Sequence, residues 1–167
     1  TSQHPTRRKF CQSLTAGTLG AALTDMTANA VAANAVANEW LLYIGTYTNA
    51  KSKSEGIYIY RFNAGTGELK PSGVAKLNTS PSFLAIDAKR KYLYAVNEVG
   101  EFNGQKNGGV TAFAIDQKTG DLKLLNQQHA PGVPCHVSVH PSGKFVLIAD
   151  YGGGNAAIYP VKVDGSL

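Results

Sequence analysis

One stretch of this chain occurs twice, 53 residues apart, and that spacing limits the possible folds more than any other feature. Pro81-Ser82-Phe83-Leu84-Ala85-Ile86-Asp87 returns as Pro134-Cys135-His136-Val137-Ser138-Val139-His140. Lys91-Tyr92-Leu93-Tyr94-Ala95-Val96-Asn97 returns as Lys144-Phe145-Val146-Leu147-Ile148-Ala149-Asp150. The same offset carries Gly56-Ile57-Tyr58 onto Gly109-Val110-Thr111, and Gly67-Glu68-Leu69 onto Gly120-Asp121-Leu122. An offset that holds over four separate segments marks a structural unit repeated along the chain.

Each unit reads as four short strands. In the complete copy they fall at 83–87, 92–98, 110–116 and 122–128, rich in aromatic and β-branched residues. Tight turns separate them: Ala88-Lys89-Arg90-Lys91 and Pro141-Ser142-Gly143-Lys144, Ala64-Gly65-Thr66-Gly67 and Gln117-Lys118-Thr119-Gly120. The 18 glycines and the 16% of charged residues fit a globular β-protein rather than a disordered one. Four antiparallel strands in a unit of this length make a β-propeller blade. The fold class is therefore all-β. Residues 40–77 supply the last three strands of a first blade, 83–128 a whole second blade, and 136–167 most of a third. Propellers close with at least four blades, so the chain is expected to be part of a larger ring.

The first 37 residues read differently. Thr6-Arg7-Arg8-Lys9-Phe10 has the twin-arginine form, an apolar stretch follows at 14–23, and small-residue cleavage patterns recur up to Ala35-Val36-Ala37. The expected organisation is an export signal at 1–37 and the propeller part at 38–167. The expected partner is the twin-arginine export machinery, and the destination is the bacterial periplasm or beyond. No apolar run is long enough for a membrane span in the mature chain. The formal charge of +5 lies partly in Arg7, Arg8 and Lys9, and the remaining excess is too scattered to recruit nucleic acid. With only Cys11 and Cys135, neither a disulfide framework nor a Cys-x-x-Cys metal site is available, and no metal or other cofactor is expected.

Strand direction alternates within a blade, so the start of the innermost strand and the end of the second share one face. That places His136, Phe83, Asn97, Glu98, Asp150, Tyr151, Thr46 and Tyr47 around one mouth of the channel. The loops at 99–109 and 129–134 are expected to open on the same face, where sites on rigid scaffolds usually lie. His136 is a candidate base or hydrogen-bond donor, and Glu98 a candidate base or binder of hydroxyls. Asn97, Asp150 and Tyr151 are candidate substrate contacts. Cys135, paired with Ser82 in the repeat, is expected at a small buried position. His140, ahead of a Pro-Ser-Gly turn on the other face, is expected to be structural.

The segments Tyr43-Ile44-Gly45-Thr46-Tyr47-Thr48, Tyr94-Ala95-Val96-Asn97-Glu98, Pro134-Cys135-His136-Val137-Ser138-Val139 and Tyr151-Gly152-Gly153-Gly154 resemble the lactonase-type seven-bladed propeller family. That family includes bacterial 6-phosphogluconolactonases and the fungal carboxy-muconate lactonising enzyme. The resemblance implies seven blades and a lactone substrate held in a cleft at one mouth. It also implies that the His, Arg and Glu usually proposed as catalytic lie on later blades, beyond Leu167. The few Lys and Arg residues on the mouth-side loops, Lys51, Lys53 and Lys106, do not form a phosphate cluster. Two other readings remain: a non-catalytic propeller binding protein or polysaccharide, and a lactone-forming cyclase.

Overall fold

The structure is a computed structural model that describes residues 39–167. The expected twin-arginine signal and its expected cleavage site lie outside the described residues. Three antiparallel sheets follow one another along the chain. The first contains β1 (Glu39–Ile44), β2 (Gly56–Asn63) and β3 (Leu69–Lys76). The second contains β4 (Leu84–Ile86) and β5 (Tyr92–Asn97). After a small hairpin, β6 (Glu101–Phe102) with β7 (Gln105–Lys106), it continues with β8 (Gly109–Ile115) and β9 (Leu122–His129). The third contains β10 (Pro134–Val139), β11 (Phe145–Asp150) and β12 (Asn155–Pro160). Within each sheet the strands pair in chain order, as blades do. After β12, residues 163–165 form a turn.

Alternation along the strands explains how the sheets stack. Leu93 and Ala95 point to one side of β5, while Tyr94 and Val96 point to the other. The first pair joins Ile57, Phe113 and Ile115 in a core between sheets one and two. The second pair joins Val110, Val137, Val146 and Ile148 in a core between sheets two and three. Full burial of one such aliphatic side chain contributes about 1.5–3 kcal/mol. The two outward faces of the stack show the same alternation, with no further sheet among the described residues against them. Trp40, Leu42 and Ile44 are exposed on the first sheet, and Phe145 and Ile158 on the third.

The turns use matched solutions in the two copies. Arg90 (φ 56°) and Gly143 (φ 70°) take the same left-handed place. The Asp87 carboxylate accepts from the backbone N–H of Lys89 and Lys91, and the His140 ring nitrogen accepts from that of Ser142. His140 therefore caps a turn, in line with its sequence position.

A tyrosine clamp ties each blade to the next. Tyr43 on β1 donates its hydroxyl to the Gly120 carbonyl in the β8–β9 turn, at 2.7 Å. Tyr94, at the corresponding place on β5, donates to the Gly165 carbonyl in the turn after β12, at 3.0 Å. Both glycines are left-handed (φ 84° and 85°). Tyr159 donates to the His129 carbonyl at 2.6 Å and links the same two blades again.

Burial raises the pKa of Tyr43, Tyr94 and Tyr159 above the ordinary tyrosine value of 10.0. The folded state thus prefers the protonated phenol. Its stabilising contribution is complete below pH 10 and is lost as pH rises through the raised values. Phenolate absorbance and far-UV circular dichroism, followed together above pH 10, should show these tyrosines ionising along with loss of the sheets. Ionisation of every tyrosine with the sheets intact would contradict the clamp.

Candidate active site

The mouth residues come from two kinds of strand end. β4 and β10 are the first strands of their blades and pack side by side. β5 and β11 end on the same face with Asn97 and Asp150, which Glu98 and Tyr151 follow. Tyr47 follows β1 at the corresponding place in the first blade.

Three side chains from two blades meet at Glu98. The Tyr47 hydroxyl donates to Glu98 Oε2 at 2.9 Å, and the Ser82 hydroxyl donates to the same oxygen. The carboxylate hydrogen bond raises the Tyr47 pKa, so this phenol acts as a donor rather than a base. Ser82 lies next to Phe83, whose ring packs against the His136 imidazole with centroids 4.5 Å apart. The mouth thus has a continuous edge from Tyr47 through Glu98, Ser82 and Phe83 to His136.

His136 stands at the start of β10, beside an irregularity in the pairing. Pro134 pairs with Asp150 and His136 with Ala149, which leaves Cys135 as the extra residue of a β-bulge. Bulges turn the neighbouring side chains, and they are common beside active sites. Val137 still points into the core. Cys135 is half-buried in the bulge, its thiol 3.7 Å from the Ala149 carbonyl oxygen, rather than at the small buried position expected from its pairing with Ser82.

Asn97 and Asp150 lie beneath the mouth. Asn97 is fully buried. Its amide donates to Thr79 Oγ1 at 2.7 Å, its carbonyl accepts from Thr111 Oγ1 at 2.6 Å, and Thr111 in turn accepts from Gln127. Asp150 is buried as well. It accepts from the Gly153 backbone N–H and from Asn155 Nδ2, each at 3.0 Å. A Cβ on Gly132 would lie 1.3 Å from Asp150 Oδ2, so this loop passes over the carboxylate only because residue 132 has no side chain. Both side chains are fully engaged within the protein and brace the rim. Tyr151 is 90% exposed on the rim itself.

The loop at 99–109 leaves β5 at its Asn97 end. It folds into the β6–β7 hairpin, and Phe102 is buried against Gly109 and the edge of the His129 ring. A cleft of about 590 Å³ lies elsewhere, lined by residues including Thr48, Glu55, Lys76, Asn78 and Leu124. Glu55 and Lys76 neutralise each other there, and no histidine or cysteine lines it. The chemistry-bearing side chains converge at the mouth instead. Among the described residues no cluster of His, Cys, Asp and Glu is able to hold a metal, and no helix is long and apolar enough to cross a membrane.

Comparison with known proteins gives this architecture a family. The model of the seven-bladed β-propeller lactonases matches residues 41–167. The chain is 40% identical to a 6-phosphogluconolactonase of Bacillus subtilis over 131 residues, 77% of this chain and 35% of that protein. It is 32% identical to a 6-phosphogluconolactonase of Formosa agariphila over 127 residues, 75% of this chain and 35% of that protein. Among solved structures, the periplasmic gluconolactonase of Pseudomonas aeruginosa superimposes with a TM-score of 0.66 at 32% identity, covering 76% of this chain and 36% of that one. The chain spans about a third of the length of the curated relatives it matches. By its stacked antiparallel sheets and by this match across the described residues, the chain belongs to the lactonase family of seven-bladed β-propellers.

Proposed function

We propose that the intact protein is a lactone hydrolase that opens a sugar lactone at the propeller mouth. The observation that carries this reading is the rim in which Glu98, anchored by Tyr47 and Ser82, shares one edge with an exposed His136. The named relatives support it, being a 6-phosphogluconolactonase and a gluconolactonase.

Lactone opening requires a water activated against the carbonyl carbon, donors for the oxyanion, and contacts that hold the ring. In the proposed reaction His136 takes a proton from water as the oxygen adds to the carbonyl. The tetrahedral oxyanion collapses, the ring C–O bond breaks, and the proton passes to the departing ring oxygen. The product is a hydroxy acid. Imidazole suits this exchange because it gains and loses a proton near neutral pH. Glu98 and the Tyr151 hydroxyl hold the sugar hydroxyls. Asn97 and Asp150 keep the rim in place from below.

The twin-arginine reading of residues 6–12 puts this activity in the periplasm or outside the cell, and the periplasmic location of the Pseudomonas relative supports export. The experiment for the function is direct. Purified intact protein should open gluconolactone well above the spontaneous rate. No acceleration on any sugar or muconate-type lactone would favour a binding propeller instead.

A further inference from the structure

We infer that Ser80 is a positioning residue for the mouth, setting the Glu98 carboxylate through a hydroxyl latch to Thr48 between the first and second blades. The inference rests on the lactone hydrolase reading and deepens it by naming what holds the rim carboxylate. Ser80 is buried and lies in the left-handed region (φ 48°), which a residue with a Cβ rarely adopts. Thr48, the residue after Tyr47, engages it from the first blade. The Thr48 N–H donates to Ser80 Oγ at 3.2 Å, and the Ser80 N–H donates to Thr48 Oγ1 at 2.9 Å. The Ser80 carbonyl then accepts twice, from the Ser82 N–H at 2.8 Å and from the Glu98 N–H at 3.1 Å. One residue thus holds the backbone of both Ser82 and Glu98 and is itself fixed to the neighbour of Tyr47. Tyr47 and Ser82 are the side chains that grip the Glu98 carboxylate.

The repeat separates this latch from what a blade needs in order to stand. Contacts that the stack requires recur at the next boundary. The Tyr43 clamp returns at Tyr94, and the bond from the Leu77 N–H to the Glu55 carbonyl returns from Ala130 to Gly108. The latch does not return. Ile44 pairs with Tyr58 as Ala95 pairs with Thr111, so Thr48 corresponds to Val99. Val133 precedes Pro134 as Ser80 precedes Pro81. Neither valine has a hydroxyl, and Val133 is not left-handed. The place of Glu98 is taken there by Tyr151, which is exposed on the rim. The strained serine therefore occurs where a carboxylate must be held and is missing where none is. Strain kept in place by over-determined surroundings is characteristic of functional sites.

The test uses the intact protein and gluconolactone. Ser80→Ala removes one hydroxyl of the latch and Thr48→Val the other, and both leave Tyr47, Ser82, Glu98 and His136 in place. Each should raise KM about tenfold with kcat within about twofold, since a misplaced Glu98 weakens the hold on the sugar and not the proton transfer. Thr48→Ser keeps the hydroxyl and should restore the wild-type KM. In a Glu98→Gln background neither latch substitution should raise KM further, because residues acting through one group are not additive. Tyr43→Phe is the control. It weakens the packing of the same two blades without touching the latch, and should lower the unfolding midpoint with KM unchanged. An unchanged KM in both latch variants, an equal rise in Tyr43→Phe, or full additivity with Glu98→Gln would overturn the inference while leaving the hydrolase reading in place. If wild type opens no lactone, the hydrolase reading fails. The side-chain carboxyl NMR resonance of Glu98, assigned by its loss in Glu98→Gln, then decides the positioning role. It should move in Ser80→Ala and in Thr48→Val and stay in Tyr43→Phe, and a resonance unmoved by the latch variants overturns the inference.

Discussion

Replacing His136 with Ala in the intact protein should lower kcat for lactone opening by about 10²–10⁴-fold, the usual contribution of a positioned acid–base group. The fold should survive. The His136 side chain is exposed, and its ring packs on Phe83 at the surface. Loss of that contact costs about 0.5–1.5 kcal/mol. Thermal unfolding should therefore shift little while turnover collapses. KM should change far less than kcat, since the imidazole acts on water and leaving group rather than on the sugar hydroxyls. The pH–rate profile should lose the limb that reports the base, and added imidazole should restore part of the rate. A variant that turns over within a few-fold of wild type would move proton transfer to residues outside 39–167. That outcome would agree with the family resemblance, which places the usual His, Arg and Glu on later blades.

Much of this architecture is legible in the sequence because a repeat records its own boundaries. Strands expected at 92–98, 110–116 and 122–128 fall within one residue of β5, β8 and β9. Turn positions carry over between copies even when the residue changes, as with Arg90 for Gly143. The alternation of Leu93 and Ala95 with Tyr94 and Val96 already divides β5 between two cores. What is not legible depends on partners from another blade. Nothing local marks Ser82 as a donor to Glu98, since sixteen residues and a strand reversal separate them. The Tyr43 and Tyr94 clamps reach 77 and 71 residues along the chain. The sequence places the 99–109 loop on a face but does not show its hairpin, which depends on Phe102 finding the hollow beside Gly109. Likewise Cys135 reads as buried by analogy with Ser82, because a bulge cannot be seen in an ungapped offset.

Asn97→Ala should be the most damaging single truncation at the mouth, and its damage should be to stability. The sequence position of Asn97, at the end of a second strand, matches that of a ligand contact. Its surroundings do not. The amide is fully buried and bonded at both ends, to Thr79 and Thr111. Truncation leaves the buried Thr111 hydroxyl and the half-buried Thr79 hydroxyl each short of a partner and opens a small void. Unsatisfied buried groups cost about 1–3 kcal/mol each, so a loss of roughly 2–4 kcal/mol is expected. Urea unfolding of the intact protein should show it as a lower midpoint. The effect should also reach the rim by a short path. The residue after Asn97 is Glu98, whose backbone N–H donates to the Ser80 carbonyl at 3.1 Å, and Ser82 follows two residues later. Once Asn97 no longer fixes the strand end, the Glu98–Ser82 contact loosens and KM should rise several-fold with kcat nearly unchanged. Asn97→Ala with wild-type stability and a large fall in kcat would make Asn97 a substrate contact after all. Its counterpart Asp150 gives an internal comparison. It too is buried and doubly bonded, to Gly153 and Asn155, but its partners lie within five residues of it. The Asn97 network instead joins Thr79, Thr111 and Gln127 from three separate segments of the second blade. Asn97 therefore holds a blade together, whereas Asp150 shapes one turn, and Asp150→Ala should lower the unfolding midpoint by the smaller amount.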